Sequence, residues 1–162
     1  MAEAWRESAL VNLVVLLEGM TGTRFFGSAY PNDPVVERAF RAPDQVKQFP
    51  HLIVKPAAGS QFGLAAVGET ALGHFVDRFR VVIFGYVSGT PEVEADTWLQ
   101  RLLEDVRRTL AADQRLTLGT ATVICREMEF DGTEIVDEGD LEPLASFAWD
   151  FSVIFDQGLT VG

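Results

Sequence analysis

Between Leu144 and Asp156 the chain alternates. Ala145, Phe147, Trp149, Phe151, Val153 and Phe155 hold the odd positions, and Ser146, Ala148, Asp150, Ser152 and Ile154 the even ones. A period of two sends successive side chains to opposite faces, so this stretch predicts a strand with an aromatic core face and a polar outer face. A second strand is predicted over residues 74–87, where Phe79, Val81 and Ile83 alternate with Arg78, Arg80, Val82 and Phe84. Thr120 to Phe130 reads as a further long strand; a polar turn at Asp131–Asp140 then joins it to the last strand as a β-hairpin. Shorter strands are predicted at Val35–Phe40 and Leu52–Lys55, with a brief helical turn from Ala42 to Phe49 between them.

Helical spacing occurs twice. Over residues 3–18, Leu10, Leu13, Val14 and Leu17 form one apolar stripe, and Val11 and Val15 widen it until Gly19 and Thr21-Gly22-Thr23 stop the helix. A helix apolar on more than one face is either deeply buried or covered by a partner chain. The second helix is predicted from a Thr90 cap, with Pro91 at its first position, to about Ala112. Trp98, Leu102, Val106 and Leu110 form its inner stripe, while Arg101 with Asp105 and Glu104 with Arg108 stand at i,i+4 spacing on its other face. Residues 20–34 read as a loop carrying Phe25, Phe26 and Tyr30, and residues 57–72 as a long Gly-rich loop. No repeat or low-complexity segment is visible. The order helix, strands, helix, hairpin implies one α+β domain over 1–162, an antiparallel or mixed sheet with an N-terminal helix and a second long helix packed on it.

Composition sharpens this picture through charge. The net charge is −11, and ten carboxylates follow Arg126 with no Lys or Arg among them, whereas residues 1–126 are close to neutral. A surface so biased repels phosphate, which argues against a protein that grips DNA or RNA. The acids alternate with Phe and Trp, so they belong to a folded element and not to a solubilising tail. A lone Cys125 cannot form an internal disulfide. The start of the chain shows no secretory signal, and the apolar run Leu10–Leu17 is too short to cross a bilayer, so a soluble cytoplasmic protein is expected, or one assembled there, with no membrane partner.

Candidate chemistry is sparse. His51 and His74 are too few and too far apart for a metal site and read as strand-end surface residues; Cys125 reads as a buried structural thiol in a strand. Phosphate-loop, dinucleotide and nucleophile-elbow motifs are absent from the sequence. Asp131-Gly132-Thr133-Glu134 lacks the ligand spacing of an EF-hand loop, so the acidic stretch is expected to be a solvated turn or a protein-contact surface. No catalytic residue, metal or cofactor is expected.

The strand Val81-Val82-Ile83-Phe84-Gly85-Tyr86-Val87 is followed by a helix with Leu102-Leu103-Glu104-Asp105-Val106 and Leu110-Ala111-Ala112-Asp113. A strand, an acidic turn and an aromatic strand complete the series. This succession resembles the tail terminator, or tail completion, proteins of long-tailed bacteriophages. The N-terminal half fits more loosely, through the opening apolar helix, a short strand near Val35–Arg38, and Phe49-Pro50-His51-Leu52-Ile53-Val54. The chain departs from the pattern in its 57–72 segment and its aromatic 24–30 loop.

The resemblance implies a non-enzymatic virion protein at the head–tail junction, assembled in the host cytoplasm. It implies a hexameric ring at the head-proximal end of the tail tube. That ring stops tube polymerisation, offers a docking surface to a head-completion or neck protein, and lets DNA pass without specific binding. Two charged surfaces are candidates for subunit or channel contacts: the acids Glu134, Asp137, Glu138 and Asp140, and the helix-face bases Arg101 and Arg108, with Arg115 nearby. Two other readings are a small α+β enzyme or ligand-binding domain with a Phe-lined pocket, and an adaptor at the tail tip or baseplate. The enzyme reading needs a carboxylate such as Asp150 held as a raised-pKa acid or base, although alternation places Asp150 on the polar face.

Overall fold

A computed structural model describes residues 5–20, 34–65, 74–141 and 144–158 of the chain, with side chains excluded at 62–65, 74–75, 138–141 and 157–158. Residues 21–33 of the aromatic loop expected at 20–34, residues 66–73, Glu142 and the side chains of His74, Glu138 and Asp140 therefore lie outside the described set. Within it the fold is α+β. Helix α1 (Trp5–Glu18) is followed by β1 (Val35–Glu37), a 3₁₀ turn at Pro43–Gln45, β2 (His51–Pro56), β3 (Gln61–Ala65) and β4 (His74–Ser88). Then come α2 (Ala95–Ala112), β5 (Glu127–Glu129), β6 (Glu134–Leu141) and β7 (Leu144–Gly158).

The seven strands form one mixed sheet in the order β1-β2-β4-β7-β5, with β3 also on β4 and β6 also on β7. Among the described residues only the β1–β2 pair is parallel. The two strands with the strongest alternation, β4 and β7, lie side by side at the centre, antiparallel from His74↔Gly158 to Ser88↔Leu144. Phe79, Val81, Ile83 and Val87 of β4 share a face with Ala145, Phe147, Trp149, Phe151, Val153 and Phe155 of β7, and all are buried. Both helices cover this face. Trp98, Leu99, Leu102, Leu103, Val106 and Leu110 of α2 join Leu10, Leu13 and Leu17 of α1 in the same core. Gly85 stands opposite Phe147, and a Cβ there would lie 2.2 Å from the Phe147 ring, so the glycine gives that ring its place.

Polar contacts fix α1 to the sheet. Arg6 donates to both carboxylate oxygens of buried Asp77, at 2.8 and 2.6 Å, and Arg38 pairs with Glu7. On the opposite face of the sheet Val46, Ile53 and Tyr86 form a small second cluster with Phe49 and Phe84.

Five expectations need correction. The helix predicted from Thr90 begins at Ala95, because the Thr90 hydroxyl accepts from the Val93 amide at 3.1 Å and closes a local turn first. Gly-rich residues 61–65 are a strand, since pairing with β4 overrides a weak local pattern. The strand expected over 120–130 shrinks to Glu127–Glu129. Ile124 and Cys125 instead donate their amides to the Arg115 carbonyl, at 3.1 and 3.3 Å, in a connection organised by the Asp113 carboxylate. The polar turn expected at 131–140 is largely β6, whose Ile135 and Val136 pair with Ala148 and Phe147. The expected 35–40 strand is likewise shorter, ending at Glu37.

Truncating a large buried aromatic typically destabilises a domain by about 3–5 kcal/mol, a large share of its total stability. Trp149 packs in the core with its ring against Phe130 and Phe151, at 5.3 and 5.4 Å. Trp149→Ala is therefore expected to lose that amount in urea unfolding or to be insoluble, and an unchanged midpoint contradicts this packing.

Candidate functional site

The central strands are each flanked by a broken strand, and the two breaks face one another. Pro56 pairs with Val81 and Gln61 with Arg78, so residues 57–60 pass only Phe79 and Arg80. On the other edge Glu129 pairs with Ser152 and Glu134 with Trp149, so residues 130–133 pass only Asp150 and Phe151. Each break holds two surplus residues, an enlarged bulge that bends the flanking strand. Gly59 takes φ +95° in the first break. In the second, a Cβ on Gly132 would lie 1.8 Å from the Asp150 carbonyl oxygen. Only glycine lets the backbone come so close.

Arg80 lies between the breaks. Its amide donates to Ser60 Oγ at 2.9 Å and its carbonyl accepts from Ala57 at 2.9 Å. Its guanidinium donates to Asp131 Oδ1 at 2.6 Å, to Ser152 Oγ at 2.7 Å, and to Asp150. Asp150 Oδ1 also accepts from the Thr133 amide at 2.6 Å. Burial alone raises the Asp150 pKa, but the hydrogen bonds from Arg80 and Thr133 outweigh it and hold the carboxyl below its ordinary value. The Arg80 side chain is only 16% exposed, so its charge is poorly solvated and depends on these partners.

The same logic runs along the sheet. Arg78 pairs with Glu129, Arg126 with Glu127 and Asp156, and Arg107 of α2 with Glu134. Among the described residues, the C-terminal carboxylates Glu127, Glu129, Asp131, Glu134, Asp150 and Asp156 thus find arginines of the same chain.

Of the expected contact residues, Glu134 meets Arg107, a neighbour of the basic pair singled out from sequence. Arg108 pairs with Glu104 one turn back at 2.7 Å, as its spacing predicts. The Arg101 guanidinium lies over the Trp98 ring, 5.2 Å from its centroid. Asp137 is half-buried on β6, opposite Ser146, and Asp105 is buried within α2 and not on its outer face. Glu138 and Asp140 have backbone positions in β6 only. Arg78, Arg80 and Arg126 escaped sequence reasoning. The alternation put Arg78 and Arg80 on one polar face and Asp150 and Ser152 on another, but no pattern revealed the register that joins them.

His51 departs from expectation. It is 4% exposed, with Nε2 2.8 Å from Glu37 Oε1, because the 38–50 segment folds over its end of the sheet. Cys125 is buried as expected, though outside a strand; burial first, then the Asp113 carboxylate, pushes its thiol up to about 12. At neutral pH it stays protonated, a poor nucleophile.

Exposed apolar side chains mark two further surfaces. On the helix side, Val11 and Val15 of α1 are 41% and 47% exposed, beside a groove of about 520 Å³ between α1 and the end of α2. On the opposite face of the sheet, Phe40 is 57% and Ile135 67% exposed.

Two substitutions probe the Arg80 clasp. Gly132→Ala should destabilise the fold by at least about 1–3 kcal/mol, since backbone must move to admit the methyl group. Asp150→Asn tests the charge. A carboxyl with a lowered folded-state pKa contributes stability above its unfolded pKa of roughly 4 and loses it as pH falls through the folded value. The melting-temperature gap between the native protein and Asp150→Asn should therefore be widest near neutrality and close in acid. A gap independent of pH refutes the ionic role. No protein-family model and no curated protein matches the chain.

Proposed function

We propose that this protein is a non-enzymatic virion structural protein of a long-tailed bacteriophage. In this reading its copies form a ring, hexameric in proteins of the family it resembles, at the head-proximal end of the tail tube. The ring stops tube polymerisation and presents the surface on which a head-completion or neck protein docks. The observation that carries the reading is the pair of unlike apolar surfaces on opposite faces of one sheet, Val11 and Val15 on one side, Phe40 and Ile135 on the other. Apolar side chains exposed in patches mark association surfaces. Two different patches suit a head-to-tail contact, and a head-to-tail contact closes into a ring when its rotation allows.

Charge supports the same reading. The arginines of the sheet are taken up by the chain's own acids, so they offer no basic track for nucleic acid. A net charge of −11 per copy gives a ring through which DNA passes without sticking. The Phe-lined enzyme pocket gains no support from Asp150, whose pKa is lowered, the wrong direction for an acid or base working near neutrality.

The purified protein should sediment as a closed oligomer. Mixed with polymerising tail tubes, it should cap one end of each tube and halt growth, visible by negative-stain microscopy. A folded protein that stays monomeric at tens of micromolar and leaves tube ends bare overturns the proposal.

A further inference from the structure

Ile135 is the most exposed of the large apolar side chains among the described residues, at 67%. It stands on β6, which among the described residues pairs with β7 on one side and with no strand on the other. The sequence around it, Glu134-Ile135-Val136-Asp137-Glu138-Gly139-Asp140, is rich in acids and holds no base. Charge along an edge strand opposes strand-to-strand pairing between copies. An association that uses this edge must therefore work through side chains. The groove between α1 and the end of α2, lined by Val15, Leu16, Thr109, Ala112 and Leu118, has room for such a knob and carries Arg108 at its wall. Asp113 also borders it, but that carboxylate is occupied by the amides of Thr117 and Leu118, at 2.8 and 2.7 Å. The Arg108–Glu104 pair is solvent-exposed, and such pairs exchange partners at little cost.

We infer that neighbouring copies join by seating Ile135 of one in the α1–α2 groove of the next, with Arg108 facing the acids that follow Ile135. This rests on the ring proposed above and specifies its contact. The occupant is a second copy of this chain because acids follow the knob in sequence and Arg108 stands at the groove wall, and both Ile135 and Val15 are solvent-exposed. Their placement also fixes the symmetry. Ile135 shares a sheet face with Ala148, Phe84 and Ile53, whereas α1 and α2 cover the other face. A two-fold dimer needs both surfaces turned toward one axis. Surfaces on opposite faces cannot satisfy that, so the contact repeats head to tail.

Two variants separate the halves of the contact. Ile135→Asp keeps the groove and loses the knob; Val15→Asp keeps the knob and loses the groove. Each alone should be monomeric, with an unchanged circular dichroism spectrum. An equimolar mixture should give a one-to-one heterodimer and nothing larger, because only one productive contact remains. Arg108→Glu should weaken assembly about tenfold or more, as loss of a charge at a tight contact does. Should Val15→Asp fail to fold, the chain carrying both Val15→Cys and Ile135→Cys provides the readout. Oxidation should yield a ladder of cross-linked multimers, with buried Cys125 left unreacted.

If the native protein forms rings that Ile135→Asp leaves intact, or the double-cysteine chain gives no ladder, the contact is wrong while the ring proposal stands. If the native protein forms no oligomer and the double-cysteine chain no ladder, both fall. A mixture that rebuilds full rings also overturns the contact.

Discussion

Everything described in this molecule hangs on the register of β4 against β7. The two strands pair without a break from His74↔Gly158 to Ser88↔Leu144, and every other strand except β1 attaches to one of them. That register sets Gly85 against Phe147, Arg80 against Ser152 and Val82 against Asp150. A slip of one residue would turn the aromatic face of β7 to solvent and carry Asp150 into the core. The burial of Phe147, Trp149 and Phe151 opposes that slip from one side of the sheet, and the Arg80 clasp opposes it from the other. Apolar packing supplies most of the stability, while the clasp adds geometry that apolar contacts alone do not specify.

The clasp also explains where the charges lie along the chain. Acids crowd the C-terminal stretch and bases precede it, yet the folded surface is not divided in the same way. Strand β4 supplies Arg78 and Arg80, α2 supplies Arg107, and Arg126 leads into β5, while their carboxylates come from β5, β6, β7 and the segment before β6. The sequence asymmetry is therefore half of a pairing completed by folding. Most of these pairs are partly exposed and individually weak. Arg80 differs because its guanidinium is nearly enclosed, and losing either carboxylate there would strand a charge that water reaches poorly.

What could be read before folding follows from how local each signal is. Strong alternation marked β4 and β7, and the four-residue repeat of Trp98, Leu102, Val106 and Leu110 marked α2; all three elements are present, and α2 packs on the face of β7 that was expected. β3 was hidden because Gln61–Ala65 has little pattern of its own and is ordered by β4. β6 was hidden because its acids look like a turn, although Ile135 and Val136 extend it along β7. Residues 120–125 look like a strand locally, but the Arg115 carbonyl takes the amides of Ile124 and Cys125, and the ladder with β7 begins only at the Arg126 amide on the Ile154 carbonyl. The candidate contacts were legible in part. Arg108 and the acids of β6 stood out by charge, whereas the exposure of Ile135 and the groove beside Val15 depend on three-dimensional placement.

The proposed ring has to reconcile a net charge of −11 per copy with close contact between copies. Long-range repulsion of that size disfavours association and grows with each copy added, but it is screened within about 10 Å at ordinary ionic strength. A contact that depended on many acid–arginine pairs across the boundary would draw on arginines already committed within the chain. An apolar knob in an apolar groove makes no such demand, and one arginine at the rim is enough to choose the acidic edge and orient it. Repulsion and attraction then act over different ranges. The short-range contact sets which surfaces meet, while the long-range charge penalises aggregates in which acidic faces are stacked without order. A closed ring fits both conditions: it buries every knob in a groove and leaves the acidic surface in water.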